Sequence, residues 1–267
     1  MRWLAALLTL CGSAQASAAA LGFHGSWRQG SVLLGHAPAG TKIEFDGHDV
    51  ALTPYGTFVI GLDRDEPSPA AVRVTLPGQA PRTLRHVVTP GRWKIQRIDG
   101  LPPSKVNPPA EVIARIRREA AEIRAVRARS SDLTGFTQRF IWSARGRISS
   151  VFGSQRILDG EPKQPHYGID VAIPVGTPVK APADGRVSLV APDLYFTGGT
   201  VMIDHGHGVQ SVYAHLSKIE VKVGDSVKQG QVFALSGQSG RATGPNLHWG
   251  VSWFDNHVDP RTLMRRR

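Results

Sequence analysis

The segment Pro165-His166-Tyr167-Gly168-Ile169-Asp170 sets an imidazole and a carboxylate four residues apart at the mouth of an apolar run. Both groups bind divalent metals and both move protons, so the pair is a candidate for either chemistry. A helical i, i+4 spacing does not explain it, because Val171, Ile173 and Val175 alternate as in a strand, and Pro174 and Gly176 exclude a helix. On a straight strand the two Cα atoms would stand ~13 Å apart, too far for ligands of one ion whose bonds are about 2 Å long. Gly168 lies between them and permits a sharp bend that would let both side chains converge. Taken alone, a loop histidine beside a turn aspartate accounts for the same residues.

Two further histidines stand at strand ends. Asn246-Leu247-His248-Trp249-Gly250 follows the turn-rich Gly240-Arg241-Ala242-Thr243-Gly244-Pro245 and opens an alternating run through Val251 and Trp253. That alternation places Asn246 and His248 on one strand face and Leu247 on the other. Tyr213-Ala214-His215-Leu216-Ser217 ends an earlier apolar strand. With these segments in this order, the chain resembles the lysostaphin-type (LytM-domain) zinc metallopeptidases. Their signature is H-x-x-x-D, a histidine within Y-x-H-L, and a late H-x-H. The resemblance runs through residues 146–260 in order and spacing, including Val151-Phe152-Gly153, Gly176-Thr177-Pro178-Val179 and Gly224-Asp225-Ser226-Val227.

The resemblance implies an open Zn2+ site with His166, Asp170 and His248 as ligands. Two imidazoles and one carboxylate leave a fourth position for water and keep net positive charge on the metal, which lowers the pKa of the water and polarises a scissile carbonyl. It also implies that His215 acts in catalysis outside the metal shell, assisting deprotonation of water or stabilising the tetrahedral oxyanion. Taken alone, His215 reads as a core histidine. The chain departs from the family at Asn246, where the late motif begins with a second catalytic histidine. An amide donates a hydrogen bond to an oxyanion but cannot shuttle a proton, so the reading gives Asn246 a catalytic place with a lower rate or altered pH dependence.

Other histidines are set apart from this group. His205-Gly206-His207-Gly208 has the two glycines of a hairpin tip, and His257, near Asp255 and Asp259, reads as solvated in a turn-rich tail. His24, His36, His48 and His86 are scattered among turns and read as solvated too. Lys228 lies in a Gly-Asp-Ser-Val-Lys-Gln-Gly hairpin like those of lipoyl-like β-sandwiches, and reads as a turn residue rather than a lipoylation site. Arg265-Arg266-Arg267 reads as a frayed, charged end.

The elements that must position the site are mainly β. Residues 21–98 alternate in short runs, such as Ile43/Phe45, Phe58/Ile60/Leu62 and Val72/Val74/Leu76, broken by Asp46-Gly47 and Pro77-Gly78; they read as a small β-sandwich-like domain. Residues 99–135 hold a proline-rich linker and then an amphipathic helix. Asn107 is its candidate cap, Val112, Ile113, Ile116, Ala120, Ile123 and Val126 form its apolar face, and it is expected to pack across both domains. Residues 136–263 hold many short apolar strands with no helix-length crossover, so an antiparallel sheet follows. By resemblance this is the peptidase domain, a lipoyl-like barrel-sandwich.

Residues 1–18 read as a secretory signal peptide: Arg2 precedes the apolar stretch Trp3 to Leu10, and Ala14-Gln15-Ala16 and Ala16-Ser17-Ala18 offer cleavage sites. The one cysteine, Cys11, would leave with it, and no transmembrane segment is expected after cleavage. The net charge of +11 over 267 residues favours a polyanionic partner. Export and the lack of a nucleic-acid-binding signature argue against nucleic acid and leave the periplasm or envelope of a bacterium, with peptidoglycan as substrate and envelope proteins as further partners. The preferred reading is an exported zinc endopeptidase cutting stem peptides or cross-bridges. A catalytically weak or inactive regulator that activates other wall hydrolases is the alternative. A wall-binding module with structural zinc is disfavoured, since closed structural sites usually have four protein ligands.

Overall fold

The structure is a computed structural model that describes residues 20–99 and 110–264. The expected signal peptide with Cys11, the proline-rich linker with Asn107, and the terminal arginines lie outside the described residues. Alternation governs what forms where. In Ala70–Thr75 the odd-and-even pattern buries Val72 and Val74 and exposes Ala71 and Arg73, and in Lys42–Phe45 it buries Ile43 and Phe45. These strands belong to a four-stranded antiparallel sheet that is accompanied by a three-stranded one built from Gly22–His24, Val32–His36 and Thr57–Gly61. The mainly β, antiparallel architecture agrees with the sequence reading.

The second half is organised around a ten-stranded sheet. Gly185–Leu194, Gly198–Gly206, Val209–Ile219 and Leu247–Trp253 lie side by side, followed by Ile169–Ala172 and the edge strand Arg147–Ser150. All pair antiparallel. Val209–Ile219 changes partner along its length: Val209 to Ala214 pair with Leu247–Trp253, whereas Leu216 to Ile219 pair with Val232–Ser236. His215 stands at the change-over.

The two halves share one apolar core. A single cluster takes Leu33, Phe45 and Phe58 from the first and Trp249, Trp253 and Phe254 from the second. Phe45 meets Trp253 at 5.7 Å between ring centroids, and Asn256 Nδ2 donates to Gly61 O at 3.0 Å. Burying a large side chain of this kind contributes about 1.5–3 kcal/mol, so the contact is substantial. The strand Ile95–Ile98 pairs parallel with Gln155–Leu158. The last strand of the 21–98 segment is therefore seated on the second half, where the short-strand pattern had assigned it to the first.

Two other expectations change. His48 stacks on Phe254 at 4.0 Å and His86 on Trp27 at 3.9 Å, while His36 is half-buried, so of the four scattered histidines His24 alone is exposed. All four lie at strand ends rather than in turns, and the rings stacked on His48 and His86 come from other segments, which composition cannot reveal. The helix Ala110–Arg127 lays Ile123 and Val126 against Leu189, Ala191, Leu194, Met202 and Val212, all from the second half. Its outer side is fixed there by Arg115, which bonds Asp193 Oδ2 at 3.1 Å, and by Glu119, whose Oε2 accepts from Tyr195 N at 2.8 Å. Lys228 follows the strand Ser226–Val227 in a turn and is paired with Asp184 at 2.9 Å, in keeping with a turn residue. Among the described residues no helix is long and apolar enough to cross a membrane.

Glu66 is buried, and its Oε2 accepts from Asp63 N at 3.1 Å. Burial raises its pKa to about 7, against the opposing hydrogen bond from the Asp63 backbone. Because the folded pKa lies above the unfolded one, the folded state holds the proton more tightly; stability is fully present below the ordinary glutamate range and is lost as pH rises through about 7. Glu66→Gln should therefore unfold at a higher temperature than wild type at pH 8 and show little gain at pH 4. Thermal unfolding monitored by circular dichroism at both pH values checks this, and equal shifts at the two would contradict it.

Candidate metal centre

Strand register brings the candidate residues together. Asp170 is paired directly with His248, and His248 on its other side with Ala214. The pairing of Ile169–Ala172 with Arg147–Ser150 slips between Asp170 and Val171, a bulge of the kind that re-aims a side chain. Gly168 lets the preceding chain fold over the strand beside it. A Cβ there would lie 2.6 Å from Trp249 O and 2.8 Å from His248 Nε2, so only glycine fits. His166 is thereby returned to Asp170: its Nε2 is 3.0 Å from Asp170 Oδ1 and 2.9 Å from His248 Nδ1, and His248 Nδ1 is 2.9 Å from the same Oδ1. The ~13 Å of a straight strand has been removed by the bend.

The donor set fits a metal. His166 Nδ1 lies 3.2 Å from Val151 O and 3.1 Å from Ser150 Oγ. A carbonyl only accepts, so Nδ1 carries the proton and the lone pair of Nε2 points inward. Burial lowers the pKa of His248 and favours the neutral ring. For Asp170 burial acts in the opposite sense, and a protonated His166 or His248 outweighs it and holds the carboxyl well below its ordinary range. Two neutral rings and a carboxylate thus converge with their ligand atoms all within 4.8 Å of one another. Four-coordinate bonds of about 2 Å place donors roughly 3.3 Å apart, close to the separations found here.

His215 adopts a φ of 64°, uncommon for a residue other than glycine, at the change-over of strand partners. Its Nδ1 donates to Ser239 O at 2.8 Å, which leaves Nε2 as an acceptor, and its ring centroid is 6.4 Å from that of His248. Asn246 is half-buried; Nδ2 donates to Gly244 O at 2.8 Å, and Oδ1 is sealed without a partner. His205 and His207 do not approach the centre. His205 is buried between Asp184 O and Ser211 Oγ, and His207 Nδ1 bonds Ala51 O at 2.9 Å. His257, read as solvated, stacks on Tyr167 at 3.8 Å, and burial pushes its pKa down to about 3.

A cleft of about 760 Å³ opens from His166 and Asp170 between the edge strand carrying Ile148 and the wall formed by Lys94, Ile95 and Arg156. Sequence reasoning missed this wall and the groups that orient the histidines, Val151 O, Ser150 and Ser239. Backbone carbonyls leave no trace in residue type, and only the glycine-rich surroundings of Ser239 hinted at a close approach.

Comparison with known proteins gives a consistent pattern. The profile described as Peptidase family M23 matches residues 164–260. An uncharacterised metalloprotease of Haemophilus influenzae is 42% identical over 126 residues, which is 47% of this chain and 26% of that protein. Peptidoglycan DD-endopeptidase ShyA of Vibrio cholerae is 43% identical over 113 residues, 42% of this chain and 26% of its own length. The chain thus spans about a quarter of the length of these curated relatives. A crystallised M23 peptidase-family protein of Pseudomonas aeruginosa superposes with a TM-score of 0.69 at 32% identity, over 89% of this chain and 94% of that one.

Gly168→Ala tests the bend directly. The new methyl group would press on His248 and on the Trp249 carbonyl, so affinity for metal should fall by tenfold or more, about the low end of what misplaced metal ligands and their supports cost. Competition with a chromogenic chelator measures it. Wild-type affinity in a folded Gly168→Ala protein would show that the bend does not set the site.

Proposed function

Since the chain belongs to peptidase family M23, we propose that it is an exported zinc metalloendopeptidase that hydrolyses peptide bonds in peptidoglycan stem peptides or cross-bridges. The observation that carries this reading is the convergence of His166, Asp170 and His248 at the head of an open cleft. The name of the Vibrio relative supports the substrate, and the signal-peptide pattern of residues 1–18 together with the net charge of +11 supports an address in the periplasm or envelope, against an acidic wall polymer.

The residues divide the work. His166, Asp170 and His248 hold the ion, and Val151 O fixes His166 in the tautomer that presents Nε2. Zinc bound by two imidazoles and a carboxylate supplies Lewis acidity to a water and a scissile carbonyl. His215, with Nδ1–H spent on Ser239 O, keeps Nε2 free to take a proton from the attacking water and to return it to the leaving amine. Asn246 has one Nδ2–H committed to Gly244 O and a second available to a developing oxyanion.

Alanine at His166, Asp170 or His248 should abolish stoichiometric zinc binding, whereas His215→Ala should retain the metal and lose most activity. Zinc content by atomic absorption, with chelator-sensitive release of peptides from purified peptidoglycan on the same samples, checks both. Loss of zinc from His215→Ala would mean that ligand and proton carrier have been exchanged in this assignment. Hydrolysis undetectable in a zinc-loaded wild type would favour the regulator of other wall hydrolases.

Asn246→Ala should lower turnover on cross-linked muropeptides by about 10²- to 10³-fold with zinc retained, the usual cost of one oxyanion donor. Asn246→His should preserve or raise turnover and change its pH profile. An alanine variant as fast as wild type removes Asn246 from the mechanism.

A further inference from the structure

The helix Ala110–Arg127 lies on the face of the sheet that carries the metal centre. Val126 packs in one cluster with Val212, and Val212 is paired with Gly250. A Cβ on Gly250 would lie 2.9 Å from Val212 Cγ1 and 3.5 Å from His248 Nε2. The last turn of the helix is therefore one row of residues away from His248, and that turn ends in Arg127.

Arg127 is half-buried, and its Nε is sealed from solvent without a hydrogen-bond partner. Among the described residues its guanidinium makes no hydrogen bond and no ion pair. Asp255, Tyr167 and His257 act on it electrostatically, yet Asp255 comes no closer than that. Arg64, the arginine that is buried among the described residues, is spent: it donates to Gly153 O and Gln155 Oε1. A withdrawn donor without a partner costs free energy, so its retention beside the stacked Tyr167 and His257, next in sequence to His166, calls for an external anion.

We propose that Arg127 is a specificity-determining residue that receives a free carboxylate of the peptide substrate while the scissile bond lies at the metal centre. The planar fork of a guanidinium matches a carboxylate with two parallel hydrogen bonds. The inference rests on the wall-peptide reading above, because stem peptides end in carboxylates. The helix then brings its own cation to the face of the sheet that carries the metal centre.

The test uses the zinc-loaded full chain and a short D-alanyl-terminated wall peptide as its free acid and as its C-terminal amide. Calorimetric titration should show wild type binding the acid about tenfold or more tightly than the amide, the scale of one charge-assisted pair. Arg127→Met should bring that ratio to near one with zinc content unchanged, and Arg127→Lys should recover part of it, which a merely structural role would not produce. An acid-to-amide ratio that is the same in wild type and Arg127→Met, a wild type indifferent to amidation, or no binding of either peptide overturns the proposal. Muropeptide cleavage on the same samples separates the two readings: a wild type that selects the acid through Arg127 yet cleaves nothing sinks the peptidase and leaves the carboxylate site standing.

Discussion

Two neutral imidazoles and a carboxylate that present lone pairs to one another repel unless a cation stands between them. The fold supplies the force that keeps them there. His248 and Asp170 are locked by cross-strand register, which a slip of one residue would turn to the opposite face, and His166 is held by a bend that only a glycine allows. The core face of these same strands carries Ile169, Val171, Leu247 and Trp249, all buried, so the apolar side of the sheet fixes the polar side. Pre-organisation of this kind transfers the cost of assembling the site from metal binding to folding.

Much of the arrangement was legible because alternation has a period of two. Leu247 and Trp249 point into the core, so His248 must point away, and the same logic places Asp170 between Ile169 and Val171. Glycine at position 168 marked the bend, although what the structure demands there is the missing Cβ, for which Trp249 O and His248 leave no room. What the sequence could not convey is partner choice. Nothing in Ile95-Gln96-Arg97-Ile98 distinguishes a strand that closes the first sheet from one that pairs with Gln155–Leu158 and walls the cleft. The inward stacking of His48, His86 and His257 was hidden for the same reason: a histidine on a short strand among turn residues looks solvated until its neighbours from distant segments arrive.

His215 illustrates a local rule yielding to a site. A β-strand of Val209–Ile219 length would ordinarily keep one partner on each side, yet it changes partner where His215 takes up a left-handed backbone. Such conformations cost of order 1–3 kcal/mol and persist where surrounding structure compels them. Here the compulsion is the two-sided hold of Thr197 O on its backbone N–H and Ser239 O on its ring. The ring is aimed by the segments that carry Thr197 and Ser239, so its orientation depends on them as much as on its own strand.

The common core of the two halves also governs how the chain comes to be folded. Leu33, Phe45 and Phe58 leave the ribosome long before Trp253 and Phe254, the rings they pack among. Contacts so distant in sequence are slow to form, and until they do the early strands expose apolar surface and unpaired edges. Until the final strands form, the early half of such a chain is open to aggregation and to proteolysis, so the last residues made protect the first.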